Sequence, residues 1–307
     1  MSPAAPRIAV LVPCHNEALT IAEVVGGFQA ALPEATIYVY DNNSTDGTAE
    51  LAREAGAEVR FESRPGKGSV VRGMFADVEA DWFIMVDGDA TYDASAAPRL
   101  LATAMQGGYD MVNVARAETG EKAYRRGHRF GNRMLTGLVG LIFGSRTSDM
   151  LSGYKVFSRR FVKSFPAMSA GFEIETELMI HALELQAAIG EISAPYGERP
   201  EGSISKLATW RDGLLILRLV GVLVQRERPL EFFGALGALL LLLSLILGLP
   251  VIWTFFETGL VPRLPTAVLA STLTLVAFLS FTVGIVLNAI THTRREMKRI
   301  AYIAVGR

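Results

Sequence analysis

The sequence predicts an α/β chain in which a doubly wound sheet fills the first two-thirds and amphipathic helices lead into a C-terminal two-helix transmembrane hairpin. Three observations predict it. Apolar runs of strand length alternate with helical patterns in the order strand, helix, strand, helix, strand, helix, strand between Arg7 and Val86. Polar loops follow the first, second and fourth of these strands, which collects them at one edge of a parallel sheet. Two apolar stretches, about residues 232–256 and 264–290, each exceed the roughly 20 residues that cross a bilayer as a helix.

Arg7 to Val12 is the first strand, and Pro13-Cys14-His15-Asn16-Glu17 is the turn leaving it. Thr20 and Glu23 have capping-box spacing, and Ile21, Val24, Val25, Phe28 and Leu32 mark the buried face of a helix that ends before Pro33. The second strand, Thr36 to Tyr40, runs into Asp41-Asn42-Asn43-Ser44-Thr45-Asp46-Gly47-Thr48. That loop is too polar for a core and rich in groups that hydrogen-bond bases and sugars. A helix follows to Ala55, with Gly56 suited to its C-cap. Ala57 to Phe61 is the third strand, and Arg64-Pro65-Gly66-Lys67-Gly68 opens another helix. Trp82 to Val86 is the fourth, a run of mostly large apolar residues that ends at Asp87. Asp110 to Val114 is a further strand, and Phe172-Glu173-Ile174-Glu175-Thr176-Glu177 begins a helix through Gln186 with its acids near the positive end. Those acids serve as caps or touch sugar hydroxyls.

Ligands of open α/β sheets sit at the carboxyl ends of strands. Asp87 and Asp89, two apart around Gly88, can converge on one hard divalent cation and leave its other positions to water and phosphate oxygens. Taken alone the pair also reads as a solvated Asp-Gly turn; two more polar loops at neighbouring strand ends favour the ligand. There is no Gly-x-Gly-x-x-Gly turn after the first strand, and Gly66-Lys67-Gly68-Ser69 lacks the first glycine and the spacing of a nucleoside-triphosphate loop. A dinucleotide oxidoreductase and a nucleoside triphosphatase are thereby disfavoured.

The chain has 307 residues and a formal net charge of −1, which argues against a general nucleic-acid binder. Only Glu257 and Arg263 are charged between Glu231 and Arg294. Arg226 and Arg228 precede the first apolar run, and Arg294, Arg295, Lys298 and Arg299 follow the second. The positive-inside rule puts both flanks, with the N-terminal domain, in the cytoplasm. Met1 to Pro6 lacks the basic segment and apolar core of a secretory signal. Cys14 is the lone cysteine, which fits a reducing compartment and a packed thiol. His15, His128, His181 and His292 share no metal spacing. Tyr124 to Phe143 and Trp210 to Arg228 alternate cations with apolar residues, as helices lying in a membrane interface do. For the first of them a core helix with a solvated side explains the pattern equally well by itself, and the apolar spans downstream favour the interfacial reading.

Val12-Pro13 with Asn16-Glu17, Asp41 to Thr48, Gly66-Lys67-Gly68, Asp87-Gly88-Asp89 and Asp149-Met150-Leu151-Ser152-Gly153-Tyr154 occur in that order across about residues 7–207. Together they resemble the family 2 glycosyltransferases of the GT-A fold, in particular the polyprenyl-phosphate sugar synthases. The paired apolar runs extend the resemblance to the branch of the bacterial undecaprenyl-phosphate glucosyltransferases, with dolichol-phosphate mannose synthase as the eukaryotic analogue. The resemblance implies a cytoplasmic GT-A domain over residues 1–207, a juxtamembrane helix over 208–229, two spans within 230–293 and a basic tail over 294–307.

It also implies roles. Pro13, Asn16, Glu17, Asp41, Asn43, Lys67 and Asp87 would hold the donor nucleotide, and Asp87 with Asp89 would hold Mg2+ or Mn2+. Asp149 stands where the family carries its proposed catalytic carboxylate, with Asp89 beside it in the chemistry. Arg116, Arg126, Arg129, Ser152, Arg199 and Lys206 would meet the acceptor phosphate, the last two from a mobile loop over residues 198–206. Ala90-Thr91 stands where many relatives carry Leu-Gln, and Asn42 replaces an acid.

The implied activity is inverting transfer of a hexose from a nucleotide sugar to a polyprenyl phosphate at the cytoplasmic face of a bacterial inner membrane. UDP-glucose is the favoured donor, GDP-mannose the alternative, and self-assembly through the spans is expected. Because a lipid phosphate is already an anion, Asp149 either orients the acceptor or removes a proton. A polysaccharide synthase is disfavoured by the missing Gln-x-x-Arg-Trp segment. A non-catalytic nucleotide-sugar-binding protein is disfavoured by intact Asp87, Asp89, Asp149 and Lys67.

Overall fold

Strands that are apolar on both faces bury best with helices above and below. The computed structural model has that arrangement, and it describes residues 5–118, 136, 137, 140, 148–169, 171, 173–197, 221, 222 and 224–306. The chain divides into two compact units, residues 1–213 with 297–307, and residues 214–296.

The first unit is a mixed seven-stranded sheet. Its elements are β1 (Ile8–Cys14), α1 (Ile21–Ala31), β2 (Thr36–Asp41), α2 (Thr48–Glu54), β3 (Glu58–Phe61), α3 (Lys67–Asp77), β4 (Trp82–Met85), a 3-10 turn (Ala94–Ala96) and α4 (Ala97–Gly107). They continue as β5 (Met111–Glu118), β6 (Lys155–Ser158), α5 (Arg159–Ser164), α6 (Ile174–Glu184) and β7 (Ile189–Tyr196). The strand order is β3-β2-β1-β4-β6-β5-β7. β1 lies parallel to β2 and β4, β2 to β3 and β5 to β7, whereas β6 is antiparallel to both of its neighbours.

That reversal positions the site. An antiparallel strand begins at the edge where its parallel neighbours end, so the residues leading into β6 fall beside those leaving β4 and β5. Val10, Val12, Val39, Ile84 and Val112 pack against Phe28 of α1 and Leu100 and Ala104 of α4 on one face of the sheet. On the other, Phe75 meets Phe157 and Phe165 edge to face at 5.8 and 5.9 Å.

Two expectations are corrected here. β1 runs through Cys14 instead of ending at Val12, because pairing with β2 continues through Pro13 and Cys14. Pairing with β4 has already stopped at Leu11, so the missing Pro13 N–H leaves no gap in that ladder. Thr20 makes no capping box; its hydroxyl donates to the Gly88 carbonyl at 2.6 Å. The basic stretch from Arg294 is helical to Ala304.

The final turns of that last helix pack within the first unit. Lys298 Nζ lies 2.6 Å from Glu184 Oε2, Arg299 donates to the Leu185 carbonyl, and Tyr302 Oη donates to Asp110 Oδ2 at 2.6 Å. Asp110, at the foot of β5, also receives Arg160 Nε and Nη2 at 2.5 and 2.7 Å and Ser158 Oγ at 2.9 Å. Burial would raise its carboxyl pKa, but the bonds from Arg160, Tyr302 and Ser158 outweigh burial and hold it below the usual range.

The second unit is built on α7 (Pro229–Thr258) and α8 (Leu264–Ala304), both long and apolar enough to be candidate membrane spans. Gly237, Ser244 and Val251 are buried at seven-residue spacing on α7, and Ala270, Ala277, Gly284 and Thr291 on α8. A Cβ on Gly237 would sit 3.0 Å from the Ala277 carbonyl, and Ser244 Oγ donates to the Ala270 carbonyl at 2.7 Å. Small residues thus let the backbones approach closely, as helix pairs in lipid require. Glu227 receives Arg294 and Arg295 at 2.6 and 3.2 Å.

Asp110→Ala leaves the Arg160 guanidinium without its bidentate partner and frees Tyr302. The expected loss is about 3 kcal/mol of stability, read as a lower apparent melting temperature together with faster amide exchange over residues 297–304.

Candidate active site

Asp87-Gly88-Asp89-Ala90-Thr91 leaves β4 as a tightly held turn. Asp89 is 3% exposed, and its Oδ1 accepts from Thr91 N at 3.2 Å and Thr91 Oγ1 at 2.6 Å. Ala90 has φ +55°, a left-handed conformation that disfavours any side chain with a Cβ. The flanks hold it there. Thr20 binds the Gly88 carbonyl, and Gly197 N donates to the Thr91 carbonyl at 2.8 Å. Thr91 accordingly orients Asp89. Cys14 is buried beneath the turn, where a Cβ on Gly88 would stand 2.7 Å from its Sγ, which bears out a packed thiol.

Asp87 Oδ1 pairs with Lys67 Nζ at 2.5 Å, and the same ammonium is bonded to Glu175 Oε1. Burial opposes the ammonium, but Asp87 and then Glu175 outweigh it and hold Lys67 protonated. Gly153 abuts the other side of Asp87, where a Cβ would lie 2.6 Å from the carboxyl carbon. No group of three or more His, Cys, Asp or Glu side chains placed to hold a metal occurs among the described residues. A donor set of two carboxylates on one turn fits a hard divalent cation that completes its shell with water and phosphate oxygens.

The loops after β1, β2 and β3 are stitched together. Asn16, at φ +53°, donates its N–H to Ser44 Oγ and accepts Thr45 N on Oδ1, each at 2.9 Å. Glu17 N donates to Thr48 Oγ1 at 2.9 Å, and Asn43 Nδ2 donates to the Ser63 carbonyl at 3.1 Å. Asn42 explains its own identity. Its Nδ2 donates to the Glu62 and Arg64 carbonyls and its Oδ1 accepts from Gly66 N, all at 2.8 Å. A side-chain amide offers two N–H donors beside a carbonyl acceptor, which a carboxylate does not. Pro13 lies at the end of β1 opposite Tyr40. Asp41 is 5% exposed, with Oδ2 on Ser44 N at 3.3 Å and Oδ1 buried without a hydrogen-bond partner among the described residues. A buried acceptor of this kind calls for a hydrogen-bond donor, from water or from a ligand.

Asp149 and Arg116 form a bidentate pair, Nε to Oδ2 at 2.6 Å and Nη2 to Oδ1 at 2.8 Å. Burial would raise the Asp149 pKa, and the hydrogen bonds and charge of Arg116 more than reverse this, so it stays ionised and weakly basic. Arg116 also lies over the Tyr196 ring, 5.4 Å from its centroid. Ser152, expected at the acceptor phosphate, is fully buried instead: its Oγ accepts from Tyr154 N at 3.3 Å and lies 3.4 Å from Tyr92 Oη. Tyr92 Oη also accepts from Gly153 N at 2.8 Å. Ser152 therefore supports the turn.

Arg126, Arg129, Arg199 and Lys206, with the segment 198–206 and most of 124–143 and 208–229, lie outside the described residues. Sequence reasoning missed Tyr92, Asn113, Lys155, Glu191 and Tyr196. For two of them a signal exists: Asn113 stands between Val112 and Val114 and Lys155 between Tyr154 and Val156, and both are fully buried.

Asn42→Asp sets a carboxylate against two carbonyls; it is expected to cost about 1–3 kcal/mol and to weaken donor binding, measured by calorimetric titration with nucleoside diphosphates. Gly153→Ala should displace the Asp87 carboxylate and lower turnover about 10²-fold while circular dichroism stays unchanged.

The model for the family described as Glycosyl transferase family 2 matches residues 9–165. Glycosyltransferase AglJ of Haloferax volcanii is 34% identical over 236 residues, 76% of this chain and 78% of that protein. The dolichyl-phosphate hexose transferase of the same organism is 26% identical over 192 residues, 62% of this chain and 83% of that protein. Among solved structures, glucosyl-3-phosphoglycerate synthase from Mycobacterium tuberculosis, in complex with Mn2+, UDP and glucosyl-3-phosphoglycerate, shares the fold with a TM-score of 0.57 at 23% identity, covering 73% of this chain and 81% of that one. With the family model matching half the chain and a relative of this similarity aligned over three-quarters of it, this GT-A-fold chain belongs to glycosyl transferase family 2 and is a glycosyltransferase.

Proposed function

We propose that the chain is an inverting hexosyltransferase that moves one hexose, glucose from UDP-glucose by preference, to a polyprenyl phosphate at the cytoplasmic face of the membrane. The observation that carries this reading is that the carboxylate turn and the Arg116–Asp149 pair belong to a chain with two helices long and apolar enough to span a bilayer. An acceptor that lives in the membrane suits such a chain. The dolichyl-phosphate hexose transferase among its relatives and the UDP and Mn2+ in the mycobacterial structure support the acceptor class, the donor and a divalent cation.

The chemistry follows from what each side chain is able to do. Asp41 Oδ1, which has no hydrogen-bond partner among the described residues, accepts a hydrogen bond from the base or ribose. Asp87 and Asp89 would hold Mg2+ or Mn2+, and the cation would supply positive charge to neutralise the departing nucleoside diphosphate. Asp149, kept ionised, holds the Arg116 guanidinium in place, and Arg116 aligns the acceptor phosphate, already nucleophilic as an anion. Direct displacement inverts the anomeric carbon.

The test is transfer from labelled UDP- and GDP-hexoses to undecaprenyl phosphate, with and without Mg2+ or Mn2+, followed by lipid extraction. Label in the lipid phase from UDP-glucose, abolished by chelation and by Asp89→Asn, is the expected result. Label from GDP-mannose alone reassigns the donor, and nucleotide-sugar binding with no transfer to any polyprenyl phosphate rejects the enzyme reading. Asp149→Asn should lower turnover about 10²-fold; wild-type turnover would remove Asp149 from the chemistry.

A further inference from the structure

Asn113 on β5 and Lys155 on β6 are partners in the sheet register and are both fully buried. Lys155 Nζ donates to Asn113 Oδ1. Asn113 Nδ2 donates in turn to the Asp149 carbonyl at 2.8 Å and to Glu191 Oε2 at 3.2 Å. Glu191, on β7, accepts from Ser148 N at 3.2 and 3.1 Å and from Ser148 Oγ at 2.6 Å. The Ser148–Asp149 segment is therefore held at its carbonyl by Asn113, at its leading amide and hydroxyl by Glu191, and at its carboxylate by Arg116.

An asparagine amide is nearly symmetric in shape, so a neighbour must decide which way it faces. An ammonium has donors only. Lys155 thus fixes the Asn113 oxygen toward itself and turns the nitrogen toward Asp149 and Glu191. We propose that Lys155 is a positioning residue for sugar transfer: acting through Asn113, it sets the Ser148–Asp149 segment so that the Asp149 carboxylate meets Arg116. This rests on the assignment of Arg116 and Asp149 to the acceptor.

The charge is held against a penalty. Burial pushes the Lys155 ammonium down to about 8 from 10.5, with Asp149 and Glu175 drawing it up and Arg116 and Lys67 opposing it. Glu191 faces the same network from β7. Between pH 8 and 10.5 the unfolded chain keeps a proton that the folded chain has lost, so stability rises with pH across that window. Removing the charge at neutral pH should then leave stability intact while harming turnover, which a purely structural lysine would not do.

The experiment is steady-state transfer by full-length Lys155→Met in lipid nanodiscs, against wild type, with UDP-glucose and undecaprenyl phosphate. Expected are a kcat about 10²-fold lower, a donor KM within about 3-fold and a melting temperature no more than about 3 °C lower. The wild-type rate should fall above about pH 8, and that limb should vanish in Lys155→Met. Glu191→Gln, at an exposed side chain, tests the same segment without touching the buried lysine and should lower kcat about 10-fold. Wild-type kcat in a folded Lys155→Met, or a fall in kcat matched by the rise in donor KM, overturns the proposal. If Lys155→Met does not fold, wild-type kcat in Glu191→Gln overturns it. A wild-type chain that transfers no sugar to undecaprenyl phosphate overturns this proposal and the functional reading together; normal transfer by wild type and Lys155→Met alike overturns this one alone.

Discussion

Strand β6 runs against both of its neighbours, and this one reversal brings the chemistry together. Residues 149–154 lead into it, Asp87 to Thr91 leave β4, and Arg116 stands near the end of β5, so all three reach the same edge of the sheet. Had β6 been parallel, Asp149 would lie at the opposite edge from Asp87. The closeness is severe enough to dictate a residue type, because the Asp87 carboxylate occupies the space a side chain at position 153 would need. Lys155 follows two residues later, opposite Met85 on one side and Asn113 on the other.

Charge at this edge is arranged in held pairs. Lys67 lies between Asp87 and Glu175, Arg116 grips Asp149, and Lys155 is bonded to the neutral Asn113. Buried charges of this kind add little to stability, since desolvation offsets most of their attraction. What they add is direction. Each cation fixes the orientation of the group it is bonded to, so the arrangement of this edge is set within the fold itself.

Much of the fold was legible in local pattern. Strands β1 to β4 and the helices between them follow from runs such as Trp82 to Val86 and from the spacing of Ile21, Val24, Val25 and Phe28. β6 was not legible: it is four residues long, begins with a lysine and owes its existence to partners some 40 and 70 positions away in β5 and β4. Within the site the pair Asp87 and Asp89 stood out, because carboxylates two apart after an apolar run are a local signal. Thr20 misled for the same reason. Its spacing from Glu23 announces a cap, yet the folded chain presents the Gly88 carbonyl to its hydroxyl, and that longer-range bond prevails. The surroundings of Ser152 were not legible either, since a hydroxyl in a recognised motif says nothing of which way it faces.

The sequence by itself determined the alternation of strands and helices, the carboxylate turn, the order of the family motifs and the two long apolar helices. These depend on periodicity, composition and short spacings, which are properties of neighbouring residues. The tertiary structure alone decided the direction of β6, the bracket that Asn42 makes across two loops, the grip of Arg116 on Asp149 and the Lys155–Asn113 contact behind it. The three side-chain contacts join residues 20 to 42 positions apart, and the pairing of β6 with β4 joins residues 70 or more apart. The choice of partner for a buried polar group depends on which strands lie side by side, and that is settled only when the sheet assembles.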